Sequence, residues 1–315
     1  MNDLKLIGFE KPKWNFKLFL CVIVFMFSAC KSEKKANTAA NDSVSLPITY
    51  VTTSESNKRQ DWFFKYKYPV LDAITLKDEG EHETRKLDFK DLEEASTFFD
   101  LLIAKAGVEK EAGVRVYFAS HSLTNGNGRL TLIFNNTTGT GKIDVENYYA
   151  FKDGVLLPKQ LDFKTAQEWV MKYQQGKRIK LSGSTMDIRD PEETKHIWFS
   201  IDKINSIKKE IVYQKEHHSN IVKGFGVRFL SYTDQDYIFL NPKAKQYYKR
   251  LTVGFSFIDW ENDDIGIRQI NQAEFFERLQ NTIKNKILDG GNLDTGDPTP
   301  PPSTDNRARL DVTDK

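Results

Sequence analysis

The sequence predicts an α+β body built from two tandem copies of a helix–strand–helix–hairpin module, closed by a C-terminal helix. Three observations lead there. Four short segments recur in the same order, apolar residues fall at helical spacing in two stretches of each copy, and alternating apolar runs bounded by turn residues end each copy.

The recurrences are Asp61-Trp62-Phe63-Phe64-Lys65-Tyr66 with Glu168-Trp169-Val170-Met171-Lys172-Tyr173, Leu87-Asp88-Phe89 with Ile197-Trp198-Phe199, Gly113-Val114-Arg115 with Gly226-Val227-Arg228, and Arg129–Phe134 with Arg250–Phe255. Their offsets of 107, 110, 113 and 121 grow steadily, as insertions in the second copy would produce. Phe163, Ala166, Trp169, Val170 and Tyr173 mark an opening helix with Gly176 as its stop, and Ser54 to Tyr68 is its counterpart. On this pairing Trp62 and Trp169 are expected to be buried at equivalent places.

The second helix of the first copy carries its stripe on Leu92, Ala95, Phe99, Leu102 and Ala106, ending at Gly107. In the second copy Ser200 is the N-cap and Ile201, Ile204, Ile207 and Ile211 are the apolar face. Strands are expected at 114–119 with 130–134, joined through Asn125-Gly126-Asn127-Gly128, and at 227–232 with 251–258. Tyr148–Leu157 reads as a linking hairpin. A final helix at Gln272–Leu288 begins with the capping pair Asn271 and Glu274. The organisation is therefore 1–29 leader, 30–47 tether, 48–160 first module with its hairpin, 161–288 second module with the C-terminal helix, and 289–315 a disordered tail of Gly, Pro, Asp and Thr.

The leader gives the clearest chemistry. Lys11, Lys13 and Lys17 precede the apolar run Leu18–Phe27, and Phe27-Ser28-Ala29-Cys30 follows. Ten apolar residues make about 15 Å of helix, half of a ~30 Å hydrocarbon core, so the run suits a signal peptide rather than a span. Small residues before the Cys let a peptidase seat the extended backbone, and the thiol accepts lipid. This segment resembles the lipobox of bacterial lipoproteins, with Phe27 in place of the usual Leu. The resemblance implies cleavage before Cys30, acylation of the new terminus (palmitate among the acyl groups), and a membrane as partner through that covalent lipid. Each buried methylene contributes ~0.8 kcal/mol, so two or three chains make a lasting anchor. Lys31 in place of an inner-membrane-retaining Asp favours the outer membrane, on its periplasmic or surface face. The polar stretch after Cys30 would hold the body roughly 20–25 Å from the bilayer. The repeated unit resembles uncharacterised bacterial envelope lipoproteins with a Gly-Val-Arg module, a likeness that implies location and no activity.

Composition narrows the partners. Residues 1–29 hold four basic and two acidic side chains, and removing them from 46 and 44 leaves 42 of each. A formally neutral body offers no electrostatic case for nucleic acid. Both cysteines, Cys21 and Cys30, fall in the leader or at the anchor, so no disulfide framework is expected.

The candidate ligand or structural residues are Arg115 and Arg228, one in each Gly-Val-Arg. Beside an aromatic, each could clamp a carboxylate or phosphate, or else pair with a carboxylate inside its own module. No metal or cofactor is expected. His82, His121, His196 and His217-His218 lack ligand spacing and read as surface histidines. Asp259–Asp264 lacks the Gly and Glu of a calcium loop. Ser184 lacks a nucleophile elbow, Glu93-Glu94 lies on an exposed helix face, and Gly139-Thr140-Gly141 is followed by no Lys-Ser/Thr. The expected function is a lipid-anchored, non-catalytic binding or structural module for another envelope protein or a polymer. The alternative is an envelope hydrolase acting on cell-wall glycan or peptide.

Overall fold

The computed structural model describes residues 50–106, 112–122, 126–138, 143–185, 192–233, 249–265, 291–293 and 297–298. The leader with Cys30, the tether and the expected helix at Gln272–Leu288 lie outside the described residues.

Two amphipathic patterns build the first part of the chain. Strand β1 (Tyr50–Thr52) leads into helix α1 (Thr53–Trp62), a π-helical turn (Phe63–Lys67) and helix α2 (Tyr68–Glu79). Ser56, Arg59, Phe63 and Lys67 recur at three to four residues and are all buried, so one face of this helical run is inward along its length. Gly80 ends α2 with φ 73° and its N–H on the Leu76 carbonyl, the left-handed cap that costs glycine least. Strand β2 (Lys86–Asp88) precedes helix α3 (Leu92–Ala106), whose first turn is closed by Asp91 accepting the Glu94 N–H at 2.8 Å. All five residues of its expected stripe are buried. Strands β3 (Gly113–His121), β4 (Arg129–Thr138) and β5 (Ile143–Lys152) follow, and the chain turns at Asp153-Gly154, both with positive φ, into β6 (Val155–Leu156).

The second part begins with α4 (Phe163–Lys172), capped by Asp162 accepting the Thr165 N–H at 2.9 Å. A second π-helical turn (Tyr173–Lys177), α5 (Arg178–Thr185), β7 (His196–Ser200) and α6 (Ile201–His217) come next. Ser200 caps α6 through the Lys203 N–H, and Ile204, Ile207 and Ile211 are buried. Strands β8 (Val222–Ser231), β9 (Leu251–Asp259), β10 (Asp264–Ile265), β11 (Gly291–Leu293) and β12 (Asp297–Pro298) complete the described elements.

The strands form one sheet in the order β1-β11-β9-β8-β2-β6-β5-β4-β3-β7-β12, with β10 also on β9. Short strand β2 pairs antiparallel with β8 (Leu87 opposite Val227), and β7 pairs antiparallel with β3 (Ile197 opposite Val116). Each short strand thus joins the long hairpin that is farther along, or farther back, in the chain. Helices α3 and α6 pack on each other. Phe98, Phe99, Leu102, Ile204, Ile207 and Ile211 form one core with Val114, Val116, Phe118, Phe225, Val227 and Phe229. On the opposite face of β3 and β4, Tyr117, Ala119 and Ile133 meet Ala166, Trp169 and Val170 of α4.

Three expectations are corrected. Gly176 does not stop a helix; it lies inside the second π-helical turn without the positive φ of a C-cap, and the chain runs on into α5, while its place against the Asn127 side chain leaves no room for a Cβ. Trp62 is only partly buried and packs its ring on Tyr66 at 4.5 Å, while Trp169 is 8 % exposed. The buried position matching Trp169 is Arg59, 110 residues earlier, which lies over the Tyr232 ring at 5.0 Å as Trp169 lies against His121 at 4.6 Å. Within the stretch expected to be a disordered tail, 291–293 and 297–298 are strands, because sheet edges present unpaired N–H and C=O groups that an extended polar segment satisfies whatever its side chains.

Candidate functional site

Arg115 and Arg228 sit in strand interiors where alternate residues face opposite sides of the sheet. Arg115, 1 % exposed, pairs through Nη1 with Asp144, and the Tyr117 hydroxyl donates to the same carboxylate. Arg228, 2 % exposed, holds Asp264 with both arms of its fork, Nε to Oδ2 at 2.6 Å and Nη2 to Oδ1 at 2.5 Å. Its Nη1 donates to Asp88 at 2.6 Å. Burial works against the Arg228 charge, but the two carboxylates outweigh it and raise its pKa above the ordinary guanidinium value. An external carboxylate or phosphate would have to displace the buried Asp144 from Arg115, leaving it unpaired at a cost of several kcal/mol, and would have to compete on Arg228 with two partly exposed aspartates, Asp264 and Asp88, that already fill its fork.

The two Gly-Val-Arg triplets lie two residues out of register with each other. Leu130 and Leu251 open their strands alike, each donating its N–H to a buried glutamate, and their cross-strand partners are Ser120 and Ser231. Three residues before each serine stand Tyr117 and Arg228. Counted back from these serines, Arg228 stands at the same distance as Tyr117, and Gly226 at the same distance as Arg115. Residues two apart on a strand share a face, so each arginine reaches across its neighbouring strand to a carboxylate on the strand beyond: Asp144 of β5, opposite Thr137 of β4, and Asp264 of β10, opposite Ile258 of β9.

A second set of buried charges belongs to no recognisable motif. Each π-helical turn ends on a lysine whose side chain has no solvent exposure. The wider turn, closed by the N–H of Tyr68 on the Phe63 carbonyl and of Arg178 on Tyr173, lets the inward face continue past an extra residue. Lys67 Nζ pairs with Glu193 at 2.5 Å, and Lys177 Nζ pairs with Glu83 and also reaches Thr75 Oγ1. The pairs cross: each lysine belongs to one helical run, and its glutamate precedes the short strand of the other part of the chain. Both glutamates are further held by backbone. Glu83 Oε1 accepts from Thr84 at 2.7 Å and Leu130 at 2.6 Å, and Glu193 Oε1 from Thr194 at 2.8 Å and Leu251 at 2.6 Å. Burial pulls the pKa of both lysines below the usual ammonium value, with the paired carboxylate opposing it. Burial likewise pushes the Tyr173 phenol well up, and it donates to the Thr194 carbonyl at 2.8 Å. The sequence did carry a signal for these groups. Lys67 to Lys177 and Glu83 to Glu193 each span 110 residues, the offset of the Leu87–Ile197 match.

The histidines are not all at the surface. His82 and His217 are exposed, whereas His121, His196 and His218 are buried, His121 with its pKa lowered by burial. Adjacent His217 and His218 diverge where α6 ends: His217, the last helical residue, turns back to the Tyr213 carbonyl at 2.9 Å, while His218, the non-helical C-cap, is buried. Asp259–Asp264 is a tight turn in which Asp259 accepts the N–H groups of Glu261 and Asp263, and its last residue holds Arg228. Among the described residues, no group of three or more His, Cys, Asp or Glu side chains is gathered to hold a metal. No helix among them is long and apolar enough to cross a membrane. The Ser184 side chain and Gly139-Thr140-Gly141 lie outside the described residues. Comparison of the chain with protein-family models, with curated proteins and with solved structures returns no match.

Proposed function

We propose that this chain is a lipoprotein of the bacterial envelope, anchored in the outer membrane through Cys30, whose body is a non-catalytic binding or structural module. The observation that carries the reading is the ordered leader: lysines, a ten-residue apolar run, two small residues and the cysteine. The non-catalytic reading draws on the use made of buried charge. Lys67, Lys177, Arg115 and Arg228 are each matched to a carboxylate of the same chain, an arrangement suited to holding elements together. The partner is another envelope protein or polymer.

The body reads as two copies of one unit. In support, the order helix, π-helical turn, helix, short strand, helix and three strands occurs from Thr53 to Lys152 and again from Phe163 to Ile265. Buried positions 56, 59, 63 and 67 recur at 166, 169, 173 and 177.

Substituting Cys30→Ser tests the anchor. The expected result is loss of radiolabelled palmitate incorporation and accumulation of an uncleaved precursor. A normal-sized, soluble mature protein from that variant would show an ordinary secretory signal and sink the proposal.

A further inference from the structure

We infer that two molecules of this chain can exchange halves, forming a dimer in which the first half of one molecule closes on the second half of the other. What joins the halves is a set of contacts that cross from one to the other. Strand β2 lies on β8 and β7 lies on β3, Lys67 meets Glu193 and Lys177 meets Glu83, and Arg228 holds Asp88. Further crossings place Arg59 over Tyr232 and Trp169 against His121. None of these contacts requires that the two halves belong to one molecule; a second copy supplies every one of them.

The only described covalent connection between the halves is the segment from β6 to α4. Pro158, Lys159 and Gln160 in it are exposed. On either side the segment is pinned to β5, with the Leu157 N–H on the Ala150 carbonyl at 2.9 Å and the Leu161 N–H on the Tyr148 carbonyl at 2.8 Å. Positions 148 and 150 of a strand stand roughly 6.8 Å apart, so residues 157 and 161 need intervening chain to hold both bonds. Intramolecular closure wins while that connection can span the gap, because a short linker gives an effective concentration in the millimolar range. A linker too short to close removes the advantage, and exchange between molecules then makes the same contacts without straining the hinge.

Cross-linking across β2 and β8 reads the exchange directly. Leu87→Cys and Val227→Cys are placed in the full, detergent-solubilised chain with Cys21→Ala and Cys30→Ser, so that the introduced pair are its only thiols. Directly opposed antiparallel residues have the Cα separation a disulfide needs. Two forms are refolded and oxidised, one with the native linker at low and high protein concentration, the other lacking 158–160. On a non-reducing gel the native linker at low concentration should give a cross-linked monomer. Covalent dimer should appear as the protein concentration approaches the millimolar range of the linker's effective concentration, and should dominate in the deleted form. Cross-linked monomer alone under every condition overturns the exchange while leaving the β2–β8 pairing, and the proposed function, intact. Failure of the disulfide to form in any condition overturns it as well, by removing the pairing on which it stands. The native-linker concentration series decides the matter even if the deleted chain does not fold.

Discussion

Replacing Lys67 with Met is the most informative single perturbation of this fold. Met keeps most of the side-chain volume, so the packing beneath the π-helical turn is largely retained while the ammonium is lost. Glu193, without solvent exposure, keeps the N–H groups of Thr194 and Leu251 but loses its cation. Removing one partner of a buried pair costs about 3–5 kcal/mol. Against a total of roughly 5–15 kcal/mol, that is a large share of the stability. Urea denaturation followed by far-ultraviolet circular dichroism should therefore show a midpoint far below that of the parent with an unchanged slope. Glu193→Gln should cost a similar amount. Lys67→Met combined with Glu193→Gln should cost well under the sum of the two, because the second change removes the charge the first left stranded. Lys67→Met combined with Glu83→Gln, which would be the uncrossed pair, should be additive within about 0.5 kcal/mol. A cost below 1 kcal/mol for Lys67→Met would refute the reasoning, since that is the behaviour of an exposed pair. So would non-additivity with Glu83 in place of Glu193.

Two further outcomes follow from local geometry. Gly113→Ala should destabilise by about 1–3 kcal/mol, because the added Cβ would overlap the Phe199 carbonyl and approach the Trp198 ring to 2.7 Å; thermal unfolding measures it, and an unchanged midpoint would contradict the β3–β7 packing. The Asp78 carboxyl is held below its ordinary 3.8 by the backbone N–H and side-chain amide of Asn127. A depressed carboxylate stabilises fully above the unfolded pKa and loses that contribution as pH falls through the folded one. Asp78→Asn should accordingly be less stable than the parent at pH 7, with the gap closing below pH ~3.8 in an acid titration of the urea midpoint.

Much of the local structure was legible in the sequence. The stripes of α3 and α6 declare themselves because each helix has one buried face and polar residues elsewhere, and Ser200 caps where a serine before an apolar run should. Asp153-Gly154 turns the chain because both residues tolerate positive φ. Burial by charged residues defeated the reading. The shared tryptophan pairs Trp62 with Trp169, whereas the inward positions are Arg59 and Trp169, and a buried arginine resting on a ring looks like surface in a sequence. The glycine-led triplets are a similar case, since an arginine at either of two positions on one strand face can reach an aspartate two strands away, Asp144 for Arg115 and Asp264 for Arg228. Arg115 and Arg228 were picked out, but their partners Asp144, Asp264 and Asp88 come from other strands, and nothing local encodes that meeting. A lone lysine in a polar-looking helix carries no sign of its burial, so Lys67, Lys177, Glu83 and Glu193 are marked in the sequence only by their shared spacing of 110 residues.

The crossed pairs also set an order of events for a chain that emerges from one end. Lys67 waits for Glu193, 126 residues later, and Asp88 for Arg228, 140 residues later. The first half can form its own hairpin and α3 as soon as they appear, but β3 keeps an open edge until β7 arrives. Contacts of such separation make folding slow, and exposed edges invite unwanted pairing meanwhile. Were the chain exported as proposed, this timing would be favourable, because the contacts that consolidate the two halves, Lys67 with Glu193 and Asp88 with Arg228, could form only after most of the body had crossed.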